Sequence, residues 1–166
     1  MSNGKVVNFF TGSLVIDGQN QPSQSLTLKR GVARFDLNVD VAGSAAIESL
    51  TLKNVAQSGY LFAQGEVAAS PADVERNDVT AHFDTALSAS TPGVLYVYEQ
   101  ENAGIEVSIE AVIDGQHKVL TKTLEGNLKR NTIYTVTVRK NDIDIVVKVG
   151  IDDWEPGEDT EIIPQL

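Results

Sequence analysis

Glu106 and Glu110 fall on one face of a strictly alternating segment, and Glu99 and Glu101 flank Gln100 just after an aromatic one. Paired carboxylates are the equipment of glycoside hydrolysis. Retention needs about 5–5.5 Å between the two carboxyl groups, and inversion about 6.5–9.5 Å. Four residues of extended chain hold Glu106 and Glu110 roughly 13 Å apart, so a solvated strand face is their expected role. His82 and His117 each lack a second histidine at ligand spacing and read as ordinary strand or turn residues. Asp152, Asp153, Glu155, Glu158, Asp159 and Glu161 offer the oxygen ligands that Ca²⁺ takes, but without EF-hand spacing they read as a solvated acidic tail. The chain contains no Gly-x-Ser-x-Gly elbow, no Gly-x-Gly-x-x-Gly and no phosphate loop. The expectation is a protein that is not an enzyme, with no catalytic residue, no metal and no cofactor. One binding feature remains. Tyr96 and Tyr98, two residues apart on an extended segment, point the same way, and with Tyr60 and Trp154 they could form a sugar-stacking platform. The alternative is that the rings fill the core with their hydroxyls at its rim.

Composition narrows the partners. The chain has 166 residues, of which 42% are hydrophobic, enough to build a core, and its formal net charge is −10. Such a field repels nucleic acid and anionic lipid heads, so neither is an expected partner. Cysteine is absent, which excludes disulfides, thiolate metal sites and cysteine nucleophiles. No apolar run approaches the roughly 20 residues of a membrane helix. The start Met1-Ser-Asn-Gly4 is short and polar, as expected of a chain whose targeting segment has been removed. An open reading frame beginning at Met1 would remove that idea.

The elements that must position these residues are strands. Tyr134, Val136 and Val138 alternate with threonines, and Ile143, Ile145, Val147, Val149 and Ile151 alternate beyond a polar turn, which predicts a hairpin with one buried face. Ile105 to Ile113 alternates with polar residues, and Asp114-Gly115 turns it into a partner over 119–124. Lys5 to Ile16 is expected as a first strand. Leu26 opens a longer one whose apolar phase slips at Gly31, the mark of a bulge or bend. Further strands are expected around 47–52, at Tyr60–Phe62, over 79–87 and over 94–98. Residues 63–78 and 88–93 read as loops, the second being a candidate sub-boundary. About ten strands at short spacing predict an all-β, antiparallel β-sandwich, taken as one domain over 1–166.

Five segments carry a family resemblance. They are Leu26-x-Leu-x-Arg30-Gly-Val-Ala33-Arg34-Phe35, Ile47-x-Ser-Leu-x-Leu with Gly59-Tyr60-Leu61, Tyr96-Val-Tyr98-Glu99, Arg130-Asn131-x-x-Tyr134, and Val147-x-Val149 followed by Trp154. In this order they resemble the fimbrillin-like family, the FimA/Mfa-like fimbrial subunits of Bacteroidetes, as a short or single-domain variant. The resemblance implies transthyretin-like sandwich domains, export as a lipoprotein to the outer membrane surface, and a place in a cell-adhesion fimbrium or pilus. The family's anchor is a lipidated cysteine, which this chain lacks, so membrane attachment would run through a lipid anchor outside it. Expected partners are other fimbrial subunits or further copies of the chain, and a host or bacterial surface glycan or protein. The resemblance also implies assembly by β-strand addition, in which proteolysis after a basic residue frees a groove that a neighbour's strand fills. Lys29 and Arg30 are the candidate cleavage site, or simply a basic pair on a polar face. Thr160, Ile162, Ile163 and Leu166 are the candidate donor strand, or a frayed terminus. A carbohydrate-binding accessory module of a surface glycan system is the alternative reading.

Overall fold

The structure is a computed structural model that describes residues 8–14 and 28–149, together with Val6 and Leu26. Strand after strand follows from the period-two pattern. The ten strands among these residues are β1 (Phe10–Thr11), β2 (Lys29–Arg30), β3 (Val32–Val39), β4 (Ala45–Ala56), β5 (Arg76–Leu87), β6 (Thr91–Tyr98), β7 (Glu106–Ile113), β8 (Gln116–Thr123), β9 (Thr132–Val138) and β10 (Ile143–Val149). Two four-stranded sheets, ordered β10-β9-β3-β6 and β5-β4-β7-β8, face each other, and β1 and β2 form a separate ribbon. The expected all-β sandwich is what the sequence folds into. Every pairing is antiparallel except β3 with β9, where Phe35 lies beside Tyr134 in a parallel register. Side-chain alternation is the same for either direction, which is why the sequence did not show this pair.

The core is built from the inward faces of both sheets. Phe35, Leu37, Val97, Tyr134, Val136 and Val138 come from one, and Ile47, Leu50, Leu52, Val107, Ile109 and Ile113 from the other. The Phe35 and Tyr134 rings stack with centroids 5.1 Å apart and planes 16° from parallel. Burying each such side chain contributes about 1.5–3 kcal/mol. The Tyr134 hydroxyl leaves the core edge to donate to Asn127 O at 3.1 Å and to accept from Lys129 N at 2.9 Å. A strand tyrosine tied back to backbone a few residues upstream is the tyrosine corner of immunoglobulin-type sandwiches.

Local expectations fare unevenly. Asp114 and Gly115 take φ values of 50° and 77°, the two positive φ angles a two-residue β7–β8 hairpin demands. The phase slip at Gly31 is a real break, because β2 pairs with β1 on one side of it and β3 enters the main sheet on the other. A side chain at Gly31 would meet the Phe9 ring. Tyr60–Phe62 is a bend and not a strand. The Tyr60 and Leu61 carbonyls are taken by Arg130, and that of Phe62 by Gln64, instead of by a neighbouring strand. β5 starts at Arg76, three residues before the expected Val79. Residues 88–90 carry the chain from β5 in one sheet to β6 in the other, and Thr91–Gly93 already belong to β6. Of the expected first strand, only Phe10–Thr11 forms a ladder among the described residues.

Burial pushes the Tyr134 phenol above its ordinary value of 10.0, opposed by the Lys129 N–H and reinforced by the Glu99 charge. The folded state therefore prefers the neutral ring. That contribution to stability is complete below the ordinary phenol range and is lost as pH rises through the raised value. Tyr134→Phe should cost about 1–3 kcal/mol in urea unfolding near neutral pH, since Lys129 N and Asn127 O lose their partner. It should also flatten the alkaline loss of stability.

Candidate functional site

The end of β6 and the segment after it gather most of the buried polar chemistry. Glu99 is 9% exposed and Gln100 fully buried. Glu99 accepts from Arg130 twice, from Nε at 3.0 Å and from the backbone N–H at 3.1 Å. The same guanidinium donates to Tyr60 O at 2.8 Å and Leu61 O at 3.0 Å. Gln100 exchanges backbone hydrogen bonds with Leu128, its Oε1 accepts from Ala56 N at 2.7 Å and Arg76 at 3.1 Å, and its Nε2 donates to Tyr98 O at 2.9 Å. Every polar atom of that amide is used, as burial requires. Arg130 thus clips the bend at Tyr60–Phe62 onto the outer face of β6. There Gly59 packs so closely on Tyr98 that a Cβ would lie 2.7 Å from Tyr98 Cβ. Phe9, Ser58, Gly59, Leu61 and Tyr98 line the resulting open groove of about 300 Å³.

Tyr96 and Tyr98 do point the same way, opposite Val97, which is 1% exposed in the core. Both are half-buried on the outer face, so they neither fill the space between the sheets nor stand free as a platform. Trp154, the third platform residue, lies outside the described residues, as do the donor-strand residues Thr160, Ile162, Ile163 and Leu166 and the acidic tail. Lys29 and Arg30 form β2. The Arg30 guanidinium sits 4.7 Å from the Phe10 ring centroid, and Gly31 N donates to Phe9 O at 2.8 Å. Cleavage after Arg30 would require this ribbon to open, because a protease binds an extended, unpaired segment. The carboxylate pairs separate into other roles. Glu106 is bound by Lys53 at 2.6 Å, Glu99 by Arg130, and Glu101 lies 3.7 Å from Arg76.

The sheet edges are not alike. The β5 and β6 edges are interrupted: the β4–β5 register shifts between Ile47 and Ser49, and the β3–β6 register between Phe35 and Leu37. β8 is regular but carries Lys118 and Lys122. These reach across to Lys140 O at 2.8 Å, Asn141 at 2.9 Å and Asp144 at 2.8 Å. The hydrogen bond from Lys122 holds the Asp144 carboxyl below its usual range, helped by the Ile145 N–H. β10 runs in unbroken register along β9 for all seven residues and, among the described residues, pairs with nothing on its other side. Its core-facing row is covered unevenly. Ile143 is 3% exposed, but Val147, on the same face, is 50% exposed, and Val146 on the outer face is 55% exposed. Alternation identified this strand, but no local signal could say that it stands at an edge. A second grouping that sequence separation hid, Glu48 with Glu110 and His117, lies on the outer face of the other sheet.

Two facing sheets, one shared core and a tyrosine corner define an immunoglobulin-like β-sandwich. Residues 64–148 match the family model of the bacterial Ig-like domain, and the chain belongs to that family. Solved structures with a similar fold include candidate cell adhesion proteins from three species. That of Parabacteroides distasonis has 16% identity and a TM-score of 0.51, over 75% of this chain and 53% of that one. That of Bacteroides uniformis has 15% identity and a TM-score of 0.52, over 81% and 55%. That of Bacteroides ovatus has 10% identity and a TM-score of 0.50, over 76% and 48%. The chain thus spans about half the length of these structures. No curated protein matches it.

Arg130→Ala should destabilise the fold by about 3–5 kcal/mol, because Glu99 is left as a buried, unpaired charge. In limited proteolysis, the segment 57–62 should be cut faster in the same variant, because Tyr60 O and Leu61 O lose their donor. Unchanged cleavage there would show that the bend does not depend on the arginine.

Proposed function

We propose that this chain is a non-catalytic cell-adhesion subunit displayed on the bacterial surface, a fimbrillin-like sandwich module that assembles by β-strand addition. The observation that carries the reading is the edge of β10, which pairs with no strand on its other side among the described residues and is regular, mostly apolar and open on its core-facing side at Val147. An added strand would take main-chain hydrogen bonds from that edge and place alternate side chains beside Ile145 and Val147. The donor would be the segment Thr160–Leu166 of another copy, or the equivalent strand of a companion subunit. The likeness in fold to candidate cell adhesion proteins supports the adhesive role and surface exposure. Export, lipid anchoring outside this chain, and organisation as one sandwich module belong to the same proposal.

Val147→Lys places a charge where the donor's side chains would pack. It should abolish ladders on native gels and filaments in electron microscopy while shifting the melting temperature by about 2 °C or less. Deletion of 156–166 should have the same effect on assembly, and a synthetic peptide of residues 160–166 should bind the shortened chain. Assembly that survives both changes would sink the strand-addition reading.

The groove at Tyr98 favours a second reading, a carbohydrate-binding module, because an aromatic ring beside an open cleft suits sugar stacking. Glycan-array binding that disappears on Tyr98→Ala, with assembly unaffected, would favour it.

A further inference from the structure

The outer face of the β5-β4-β7-β8 sheet carries a feature that strand addition at β10, on the other sheet, does not use. On β4 the register slips between Ile47 and Ser49, while the partner β7 advances by only one residue, from Ala111 to Glu110. Glu48 is the extra residue of this bulge. Ile47 and Leu50, three apart, are both fully buried, so the chain fits two residues, Glu48 and Ser49, between successive inward positions. Re-aiming a side chain is a common use of a bulge. Here it brings Glu48 beside Glu110 of β7 and His117 of β8.

One ligand atom from each of Glu48, Glu110 and His117 lies within 4.8 Å of the other two. His117 Nε2 is 3.3 Å from Glu48 Oε2. Ser49, only 3% exposed and paired with Glu110 across the ladder, brings its Oγ to 3.5 Å from Glu110 Oε2, a long and weak hydrogen bond. Support of a ligand by a buried neighbour is a regular part of metal sites.

Charge gives an independent reason to expect a cation. Elsewhere on this sheet face a strand carboxylate is neutralised by lysine, as Glu106 is by Lys53. Among the described residues no lysine or arginine pairs with Glu48 or Glu110; His117 lies against Glu48, and Glu110 has no ion-pair partner. Two adjacent carboxylates on a chain of net charge −10 repel each other unless a cation lies between them.

The geometry points to a divalent transition-metal site of the Zn²⁺ class, with Glu48, Glu110 and His117 as its three protein ligands. Two carboxylate oxygens and one imidazole nitrogen form a set that Zn²⁺ accepts, leaving a fourth position for water. The imidazole argues against Ca²⁺ and Mg²⁺, which prefer oxygen throughout. The side chains of His117 and Glu48 are 58% and 45% exposed, so metal can enter without any rearrangement of the sandwich.

Calorimetric titration of the full chain with ZnCl₂, alongside NMR of the two imidazoles, tests the site. One Zn²⁺ should bind per chain, with the His117 ring resonances shifting and those of His82 unmoved. His117→Ala and Glu110→Gln should each weaken binding by about tenfold or more. His82→Ala, on β5 opposite Ser49, should leave it unchanged. MgCl₂ and CaCl₂ should produce no shift at His117. The three substitutions lie at solvent-accessible positions, and unchanged circular dichroism verifies the fold of each. Absence of Zn²⁺ binding, or binding that persists unchanged in His117→Ala because the acidic tail holds the metal, would overturn the assignment.

Discussion

The stacking of Tyr134 on Phe35 is the contact from which the rest of the molecule is organised. It joins β9 to β3 across the one parallel pairing and fills the centre of the core with two aromatic rings. The phenol oxygen is then the wrong group to leave buried, and it finds Asn127 O and Lys129 N at the core's edge. Those bonds fix the turn that leads into β9. The next two residues are placed as a consequence. Arg130 faces Glu99 and the bend at Tyr60–Leu61, and Asn131 N donates to Val32 O at 3.0 Å where β3 begins. A hydrophobic contact, a satisfied hydroxyl and a buried ion pair therefore form one continuous structure.

The surface follows a different rule, set by how each edge and face is neutralised. On the β8–β10 side, Lys118, Lys122 and Lys140 reach across the gap between the sheets to backbone oxygens and carboxylates. These exposed bridges are individually weak in water. Their effect is to tie β8 to the β9–β10 turn and to Asp144 at the start of β10. β8 is guarded by its lysines and β5 and β6 are interrupted by register shifts, two of the ways sheets avoid unwanted pairing. β10 keeps an unbroken register and carries one lysine, Lys148, and among the described residues it pairs with no strand on its other side. The outer face of the second sheet has the opposite imbalance, with two carboxylates and an imidazole gathered by a bulge and no fixed cation among them.

Much of the fold was legible because period two is a physical constraint on any half-buried strand. β7, β9 and β10, the Asp114-Gly115 turn and the break at Gly31 could be read directly from residue order. The bend at Tyr60–Phe62 could not. Its three apolar residues resemble a short strand, and it is the arginine at position 130, remote in sequence, that takes two of the carbonyls a ladder would need. The tyrosine pair was read correctly in direction, since alternation fixes that. Its place on the outer face was not legible, because an aromatic strand looks the same on either face until a partner sheet is in position. The Glu48–Glu110–His117 group was invisible for a related reason: its members are brought together by two strand registers and a bulge.

The sequence by itself determined an all-β chain with an acidic surface, a core of alternating aliphatic residues, and the absence of thiol chemistry. These depend on composition and local period, which every residue carries with it. Tertiary structure alone decided that β3 and β9 run parallel, that β10 has no second partner strand among the described residues and leaves Val147 half exposed, and that a bulge gathers Glu48, Glu110 and His117. Each of these is a relation between segments far apart in the chain. The free energy that selects among such relations comes from burial and hydrogen bonding across the whole sandwich, and no local pattern encodes it.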